Sequence, residues 1–232
     1  MKKRLALSWS GGKDGCLALD VLIKQGMEIA CLVTTVPEEI GRTFGHGEKL
    51  EMLKLQSEAL GIPVHFISCT FENYTESFVH SLKEYKEKYK LTGIAYGDLY
   101  LDGHRDWGEK VAAEAELEAV YPLWMEEKDA LNALETFIHS GYKATVIRVR
   151  DDLLDESWLG RQLDDSFLHD IKNQNLCPMG ESGEYHTFVY DGPLFNQKIL
   201  LDAPDIIELE TTKKLEFKKY QLQDKNSRSV PD

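Results

Sequence analysis

The segment from Leu5 to Gly26, LALSWSGGKDGCLALDVLIKQG, constrains the fold more than any other part of the chain. An apolar run is followed by two glycines, a lysine and an aspartate, and then by apolar residues at helical spacing. A strand that turns through glycines into a helix presents backbone N–H groups to an anion, and the positive end of the helix dipole adds to the attraction. The pattern therefore predicts a phosphate site between the first strand and the first helix.

The residue types of this turn match the chemistry of a phosphate site. Serine hydroxyls can donate hydrogen bonds, glycines let the backbone approach a ligand closely, and a lysine supplies a compact positive charge. For Asp14 two roles stay open, because aspartate is among the best N-caps of a helix and is also a common magnesium ligand. The predicted phosphate-binding residues are Ser8, Ser10, Gly11, Gly12, Lys13 and Asp14.

The rest of the first half predicts the sheet to which this turn belongs. Continuous apolar runs rich in branched residues predict buried strands at 4–10, 28–36, 64–69 and 93–98. Helical patterns lie between them, and the first two helices are expected to end at Gly26 and Gly61. Because strands alternate with helices, we predict an α/β fold, a parallel sheet with helices on both faces.

The pattern changes near residue 126, where we place a domain boundary. A helix that ends at Gly141 and the strand KATVIRVR predict a smaller α+β domain over 126–220. Residues 1–125 form the domain that carries the glycine turn, and the polar segment 221–232 is expected to be a disordered tail. Since no Gly/Ser- or Pro-rich linker marks the join, we expect the two domains to pack tightly.

Charge and cysteine content limit the partners and the compartment. The formal net charge of −13 argues against binding DNA by neutralising its phosphates. The four cysteines are widely spaced and form no CxxC pair, which indicates neither a zinc site nor a disulfide framework and favours the cytoplasm. No apolar run reaches the length of a membrane span, so we expect no membrane partner.

Three sequence blocks carry a resemblance to a known family. The turn SGGKD is similar to the SGGxDS pyrophosphate loop (PP-loop) of ATP pyrophosphatases, which cleave ATP between the α and β phosphates. The blocks YGDLYLDGHRDWGEK with YPLW, and LGRQLD with GESGEYHTFVYDGPLF, resemble diphthine-ammonia ligases, so the likeness spans Leu5 to Phe195. The chain departs from the family pattern at Gly15, Met179 and Ser182, where the pattern has serine, cysteine and glycine.

This resemblance implies a fold and a reaction. It implies a Rossmann-like, PP-loop nucleotide-binding domain followed by a smaller domain that closes over the site. In the implied reaction a substrate carboxylate attacks the α phosphorus of ATP, pyrophosphate leaves, and ammonia displaces AMP to form an amide. The cofactors implied are ATP and magnesium. The substrate is a carboxylate, and diphthine on a translation elongation factor is one candidate.

Candidate site residues outside the turn follow a predicted strand end and a glycine-rich segment. Asp98 follows a strand at the place where open α/β sheets bind ligands, and with Asp14 it is expected to hold magnesium. Arg105 either binds the nucleotide or forms a helix salt bridge with Glu109. His46, between two glycines in FGHGEKL, is expected to contact phosphates from a lid, unless this segment is an ordinary loop.

The block MGESGEYHTFVYDG concentrates carboxylates around glycines. We expect Glu181 and Glu184 to bind ammonium and to remove a proton from it, so that with Lys13 they form the catalytic set. The alternative is that these side chains face water. For Asp191 the Asp-Gly pair indicates a hairpin turn.

Two other functions fit the same loop. One is a PP-loop ATP pyrophosphatase that acts on another carboxylate or on tRNA, although the sequence contains neither a catalytic cysteine pair nor a basic RNA-binding segment. The other is a non-catalytic ATP-binding module, which the departures at Gly15 and Met179 keep open. The sequence predicts neither the identity of the acid nor the oligomeric state.

Overall fold

The first half of the chain forms a parallel sheet in the computed structural model, which describes residues 3–225. Its strands are β1 (Arg4–Ser8), β2 (Glu28–Pro37), β3 (Val64–Cys69), β4 (Gly93–Ala95) and β5 (Glu118–Val120). They lie in the order β3-β2-β1-β4-β5, and every neighbouring pair is parallel. The chain therefore moves outward from β1 in one direction and then returns to continue on the other side of β1.

Helices cover both faces of this sheet. They are α1 (Lys13–Lys24), α2 (Leu50–Leu60), α3 (Tyr74–Tyr89) and α4 (Asp102–Glu114). Leu5 and Leu7 of β1 share an apolar cluster with α1 and α2, whereas Ala6 belongs to a second cluster with α3 and α4. Parallel crossovers are right-handed, so the reversal of direction between β1 and β4 puts the two helix pairs on opposite faces. The predicted fold class is confirmed, and this reversal is where such sheets bind ligands.

The elements follow the sequence patterns closely, with differences in three strands. β1 ends at Ser8 instead of the predicted Ser10. α2 ends where the sequence predicts, with Gly61 in the left-handed conformation (φ +68°). β4 stops at Ala95, short of the predicted segment 93–98, because the chain leaves the ladder and enters the site. β5 is not predicted from the sequence, since its length of 3 residues is too short to form an apolar run.

The second half forms an antiparallel sheet of β6 (Lys143–Arg150), β7 (Tyr185–Asp191), β8 (Gln197–Glu208) and β9 (Thr212–Asp224), in the order β7-β6-β9-β8. With α5 (Ala130–His139) and α6 (Asp165–Ile171) it makes the expected α+β unit. The prediction of a disordered tail is wrong for residues 221–224, which belong to β9. Leu222 pairs with Ile199 and packs against the core. The remainder of the predicted tail, 226–232, lies outside the described residues.

The two sheets share one apolar core. A single cluster contains Leu17 and Leu22 of α1 together with Phe137 and Phe188 of the second unit, so the predicted tight packing is confirmed. Val189 of β7 also donates a backbone hydrogen bond to the Gly11 carbonyl oxygen (2.9 Å). The boundary at residue 126 stays a prediction. Within residues 3–225, none of the helices is long and apolar enough to cross a membrane.

Candidate active site

The glycine turn forms a rigid loop (residues 8–14, the phosphate loop) between β1 and α1. Gly11 has φ +82°, a left-handed conformation that side chains rarely adopt, and a Cβ there would lie 2.7 Å from Gln56 Oε1. The Gln56 amide donates hydrogen bonds to the Gly11 and Val189 carbonyl oxygens (2.9 and 2.7 Å). The Lys13 backbone N–H donates to Thr187 Oγ1 (3.0 Å). α2 and β7 therefore fix the loop from behind.

A cavity of about 260 Å³ lies in front of this loop, at the carboxyl ends of β1 and β4. Ser8, Ser10 and Asp14 line it from the phosphate loop, and the first turn of α1 leaves backbone N–H groups without intrahelical partners. Its size is close to the lower limit for small-molecule sites. The arrangement fits a negatively charged group at the start of α1, as the sequence predicts.

Aromatic side chains form a second part of the cavity wall. The ring centroids of Phe44 and Tyr74 are 5.4 Å apart, and those of Tyr74 and Trp107 are 5.8 Å apart. All three rings line the cavity, where they offer flat apolar surface to a ring-shaped ligand. These residues were not predicted from the sequence, because they come from separate segments and no spacing pattern connects them.

Carboxylates form a third part of the wall. Asp14, Asp98 and Glu181 line the cavity, and Glu181 accepts a hydrogen bond from the Leu99 backbone N–H (2.9 Å). Burial, supported by the negative charges of Asp14 and Asp98, raises the pKa of Glu181 to about 7. Burial also raises the pKa of Asp14, although the neighbouring Lys13 opposes this. Glu181, in the loop before β7, thus brings a carboxyl group of the second unit close to Asp14 and Asp98, whose negative charges disfavour its ionisation.

The donor atoms around these carboxylates fit a magnesium ion. Asp14 Oδ1 is buried and has no hydrogen-bond partner within the described range 3–225. Donor atoms of Asp98, His104 and Glu181 all lie within 4.8 Å of one another, and His104 Nδ1 is 3.0 Å from Asp98 Oδ1. Carboxylate oxygens are the ligands that magnesium prefers, so Asp14 and Asp98 suit the role that the sequence predicts for them.

Lys13 lies behind the phosphate loop rather than on the cavity surface. Its side chain is 2% exposed, and Nζ is 3.0 Å from Asp14 Oδ2 and 4.8 Å from the centroid of the Tyr185 ring. A buried ammonium needs a partner because its transfer from water is costly. Lys13 therefore holds the Asp14 carboxylate and adds positive charge beneath the loop.

His46 lies on the cavity wall, in the segment 38–49 that joins β2 to α2. This segment is bound to the second sheet: Arg148 Nη1 donates to the Gly45 carbonyl oxygen (2.6 Å), and Lys214 Nζ is 2.9 Å from a Glu48 carboxylate oxygen. Lys214 and Glu48 are both buried. The segment covers the cavity and is tied to the second sheet at both flanks of His46.

Five predicted site residues do not line the cavity: Gly11, Gly12, Lys13, Arg105 and Glu184. Glu184 is buried with its carboxylate turned to its own loop, where it accepts hydrogen bonds from the Cys177 and Ser182 backbone N–H groups (3.2 and 2.9 Å). It borders a separate cleft of about 1020 Å³. Arg105 Nε forms an ion pair with Glu109 Oε1 (2.7 Å) on α4. Of the two roles considered for Arg105, this is the helix salt bridge. For Asp191 the predicted hairpin is wrong: the residue ends β7, and the next strand, β8, pairs with β9 at the opposite edge of the sheet. Its carboxylate accepts a hydrogen bond from the Gly192 N–H (2.7 Å).

The departures from the family pattern have structural counterparts. A Cβ at Gly15 would make an ordinary contact with the Trp9 ring at 3.4 Å, so the packing here does not require a glycine. Met179 is fully buried in the apolar core. Ser182 is exposed at the surface of the loop. Of the three positions, only Met179 contributes to the apolar core.

His186 also lines the cavity and was not predicted as a site residue. It follows Tyr185 in β7, and its ring centroid is 4.5 Å from that of His46. The signal was present in the block GEYHTFV, but a histidine in a strand is ordinarily a packing residue.

Comparison with known proteins gives consistent matches over both halves. The family described as diphthamide synthase N-terminal domain matches residues 2–119, and the diphthamide synthase C-terminal domain matches residues 129–224. A human protein named diphthine–ammonia ligase is 30% identical over 99% of this chain and 96% of its own length. A zebrafish (Danio rerio) protein of the same name is 30% identical over 85% of this chain and 86% of its own.

Among solved structures, a U34-tRNA thiolase from Methanococcus maripaludis aligns at 18% identity and a TM-score of 0.34, over 57% of this chain and 55% of that one. A likeness of this degree supports no conclusion about function.

Proposed function

The chain belongs to the diphthamide synthase family and is an ATP-dependent ligase that forms a carbon–nitrogen bond, and we propose that it activates a substrate carboxylate as an adenylate before ammonia converts it to an amide. The observation that carries this proposal is the arrangement of the cavity. The phosphate loop bounds one side, and the acid Glu181 from the second sheet bounds another. In this proposal, leaving-group binding and proton removal would take place at the same cavity.

In this proposal ATP occupies the cavity with its base among the aromatic rings and its phosphates at the phosphate loop. Phe44, Tyr74 and Trp107 offer stacking surface to the purine ring. Backbone N–H groups at the start of α1 and the Ser10 hydroxyl donate hydrogen bonds to the β and γ phosphates. A magnesium ion held by Asp14 and Asp98 would neutralise part of the phosphate charge.

The first chemical step transfers AMP to the acid. A carboxylate oxygen attacks the α phosphorus, the bond from that phosphorus to the bridging oxygen breaks, and pyrophosphate leaves with the electron pair. Positioning the two reactants in line can supply up to about 7–11 kcal/mol of the barrier. The phosphate loop stabilises the charge that develops on the departing group.

The second step forms the amide. The ammonia nitrogen attacks the carbonyl carbon of the adenylate, a proton leaves that nitrogen, and AMP departs with the bridging oxygen. Glu181 is the residue on the cavity wall that we assign to this proton, with a gain of roughly 10²–10⁴ in rate. Glu184 acts on Glu181 indirectly, because its two backbone hydrogen bonds hold the loop that carries Glu181. We therefore class Glu184 as a positioning residue.

The acceptor is proposed from the names of the relatives. Diphthine on a translation elongation factor is our first candidate, and another carboxylate is the second. A protein-borne acid has a place to enter at the cleft of about 1020 Å³ beside Glu184, since the nucleotide would fill the smaller cavity. We propose a cytoplasmic location, in keeping with the free cysteines.

The test is a product assay with ATP, magnesium, ammonium and an elongation factor that carries diphthine. We expect AMP and pyrophosphate in equal amounts, with amide formed only when ammonium is present. Accumulation of ADP would contradict the proposed bond cleavage. ATP binding without turnover on any acid supplied would identify a non-catalytic module instead.

A further inference from the structure

Two histidines from different halves of the chain meet directly beside the phosphate loop. His46 comes from the segment between β2 and α2, and His186 comes from β7. Their ring centroids are 4.5 Å apart with the planes inclined by 42°. His46 also touches the loop itself, because a Cβ at Gly12 would lie 2.7 Å from His46 Cε1. Both rings line the nucleotide cavity.

The pair has hydrogen-bonding capacity that the protein leaves unused. His46 Nδ1 is buried and finds no partner among residues 3–225. An unpartnered buried polar atom costs free energy, so such an atom on a cavity wall indicates a ligand group. Neither ring forms an ion pair with a carboxylate in the described part of the chain, although Asp14, Asp98 and Glu181 line the same cavity.

The charged groups that act on the pair are cations. Burial is the main cause that lowers the pKa of His186 to about 3, and Lys13 from α1 and Arg148 from β6 lower it further. Burial likewise lowers the pKa of His46 well below its usual range, with His186, Lys13 and Arg148 adding to the effect and a hydrogen bond with Thr187 backbone opposing it. Both rings are therefore neutral in the free protein, beside two positive charges.

We propose that His46 and His186 form a clamp for the terminal phosphates of the nucleotide, and that the clamp takes up a proton when those phosphates bind. This inference rests on the proposed function only in taking a triphosphate as the ligand. The lysine and arginine that repel a proton in the free protein are neutralised by the incoming anion. A protonated imidazole then donates from both nitrogens in charge-assisted hydrogen bonds.

The proposed clamp predicts the direction in which pyrophosphate affinity changes with pH. A group that is neutral in the free protein and charged in the complex takes up a proton on binding over the pH range between its two pKa values. Affinity for pyrophosphate therefore rises as pH falls, by about tenfold per pH unit for each proton taken up. Protonation of free pyrophosphate works in the opposite direction, because it lowers the charge of the ligand.

The experiment is calorimetric titration of the full chain with inorganic pyrophosphate in buffers of different ionisation enthalpy, repeated between mildly acidic and mildly alkaline pH. For the unmodified protein we expect net uptake of up to about one proton and tighter binding at the acidic end. The protons that free pyrophosphate itself carries at each pH are measured separately and subtracted. No proton uptake by the protein after this subtraction overturns the proposal without recourse to any variant.

The decisive variant is His186→Gln, which keeps an amide donor and cannot titrate. We expect it to bind pyrophosphate with proton uptake reduced by at least half. Unchanged uptake overturns the role of His186. The matched control is His80→Gln, an exposed histidine of α3 that pairs with Glu84 and should leave the uptake unchanged. If His186→Gln does not fold, as judged by its thermal transition, the proton uptake of His46→Gln is compared with that of His80→Gln instead.

This test separates the inference from the proposed function. Pyrophosphate binding needs no acid, ammonia or turnover. Proton-linked binding in a protein that forms no amide would leave the clamp intact and refute the ligase mechanism. Amide formation without proton-linked binding would support the ligase mechanism and refute the clamp.

Discussion

The two loops that bound the candidate active site are built in different ways. The phosphate loop is held from outside, by Gln56 of α2 and by Thr187 and Val189 of β7. The loop 177–184, here termed the acidic loop, is held from inside by one of its own side chains, the Glu184 carboxylate. A loop whose backbone must bind an anion has to be rigid before the ligand arrives. A loop that supplies one carboxylate needs only that side chain to be aimed correctly.

The largest effect is expected from the buried cation of the phosphate loop. Lys13→Ala leaves the buried Asp14 carboxylate without its counter-charge and removes positive charge beneath the loop, so ATP consumption should be abolished. Pyrophosphate release measures this. Lys24→Ala is the control, because this exposed cation of α1 pairs with Asp20 away from the cavity and should retain normal turnover. Normal turnover in Lys13→Ala would remove the residue from the mechanism.

The next effect separates the two carboxylates of the acidic loop. Glu181→Gln should slow amide formation by roughly 10²–10⁴ and spare adenylate formation, measured as exchange of labelled pyrophosphate into ATP. Its pKa of about 7 predicts that the rate of amide formation in the unmodified protein rises with pH through neutrality, as the base loses its proton. Loss of exchange together with amide formation in Glu181→Gln would contradict its assignment to the second step.

Glu184→Gln tests how the acidic loop is held. The neutral amide weakens the hydrogen bonds from the Cys177 and Ser182 N–H groups, so we expect a smaller loss of amide formation, on the order of tenfold. A purely positioning role also predicts that the pH profile set by Glu181 persists in this variant. Disappearance of that profile would make Glu184 the base.

A smaller effect, on stability, is expected from replacing Gly11, and almost none from replacing Gly15. Gly11→Ala forces a side chain into the left-handed region and against Gln56, which should cost about 1–3 kcal/mol of stability. Gly15→Ala meets only an ordinary contact with Trp9 at 3.4 Å and should be tolerated. Chemical denaturation of both variants measures the difference. Equal stabilities would show that the loop is less rigid than its hydrogen bonds indicate.

The smallest effect is expected outside the cavity. Arg105→Gln removes the exposed pair with Glu109, and the KM for ATP should change by less than about twofold. The control is Lys110→Gln on the same helix, whose ion pair with Glu114 is equally exposed. A large rise in KM for Arg105→Gln alone would restore the nucleotide-binding role that the sequence allows.

The predictable part of the site is the part in which local sequence fixes the backbone. The phosphate loop needs glycine at a left-handed position and a helix start next to a strand end, and both requirements are visible in one short segment. Asp98 and His46 were predictable for the same reason. Asp98 ends a predicted strand segment, and His46 lies between two glycines just before a predicted helix. The aromatic wall was not, because Phe44 comes from the segment 38–49, Tyr74 from α3 and Trp107 from α4, and only tertiary packing brings them together.

The sequence by itself determined the alternating strands and helices, the anion-binding turn and the family, because these depend on periodicity, glycine conformations and contiguous motifs. Tertiary structure alone decided which carboxylate faces the cavity. Glu181 and Glu184 are close neighbours in one motif. A hydrogen bond from Leu99 across the fold holds Glu181 towards the cavity, whereas hydrogen bonds from Cys177 and Ser182 hold Glu184 within its own loop. It also decided that His186 meets His46, since that contact exists only where β7 of the second sheet packs against the phosphate loop of the first.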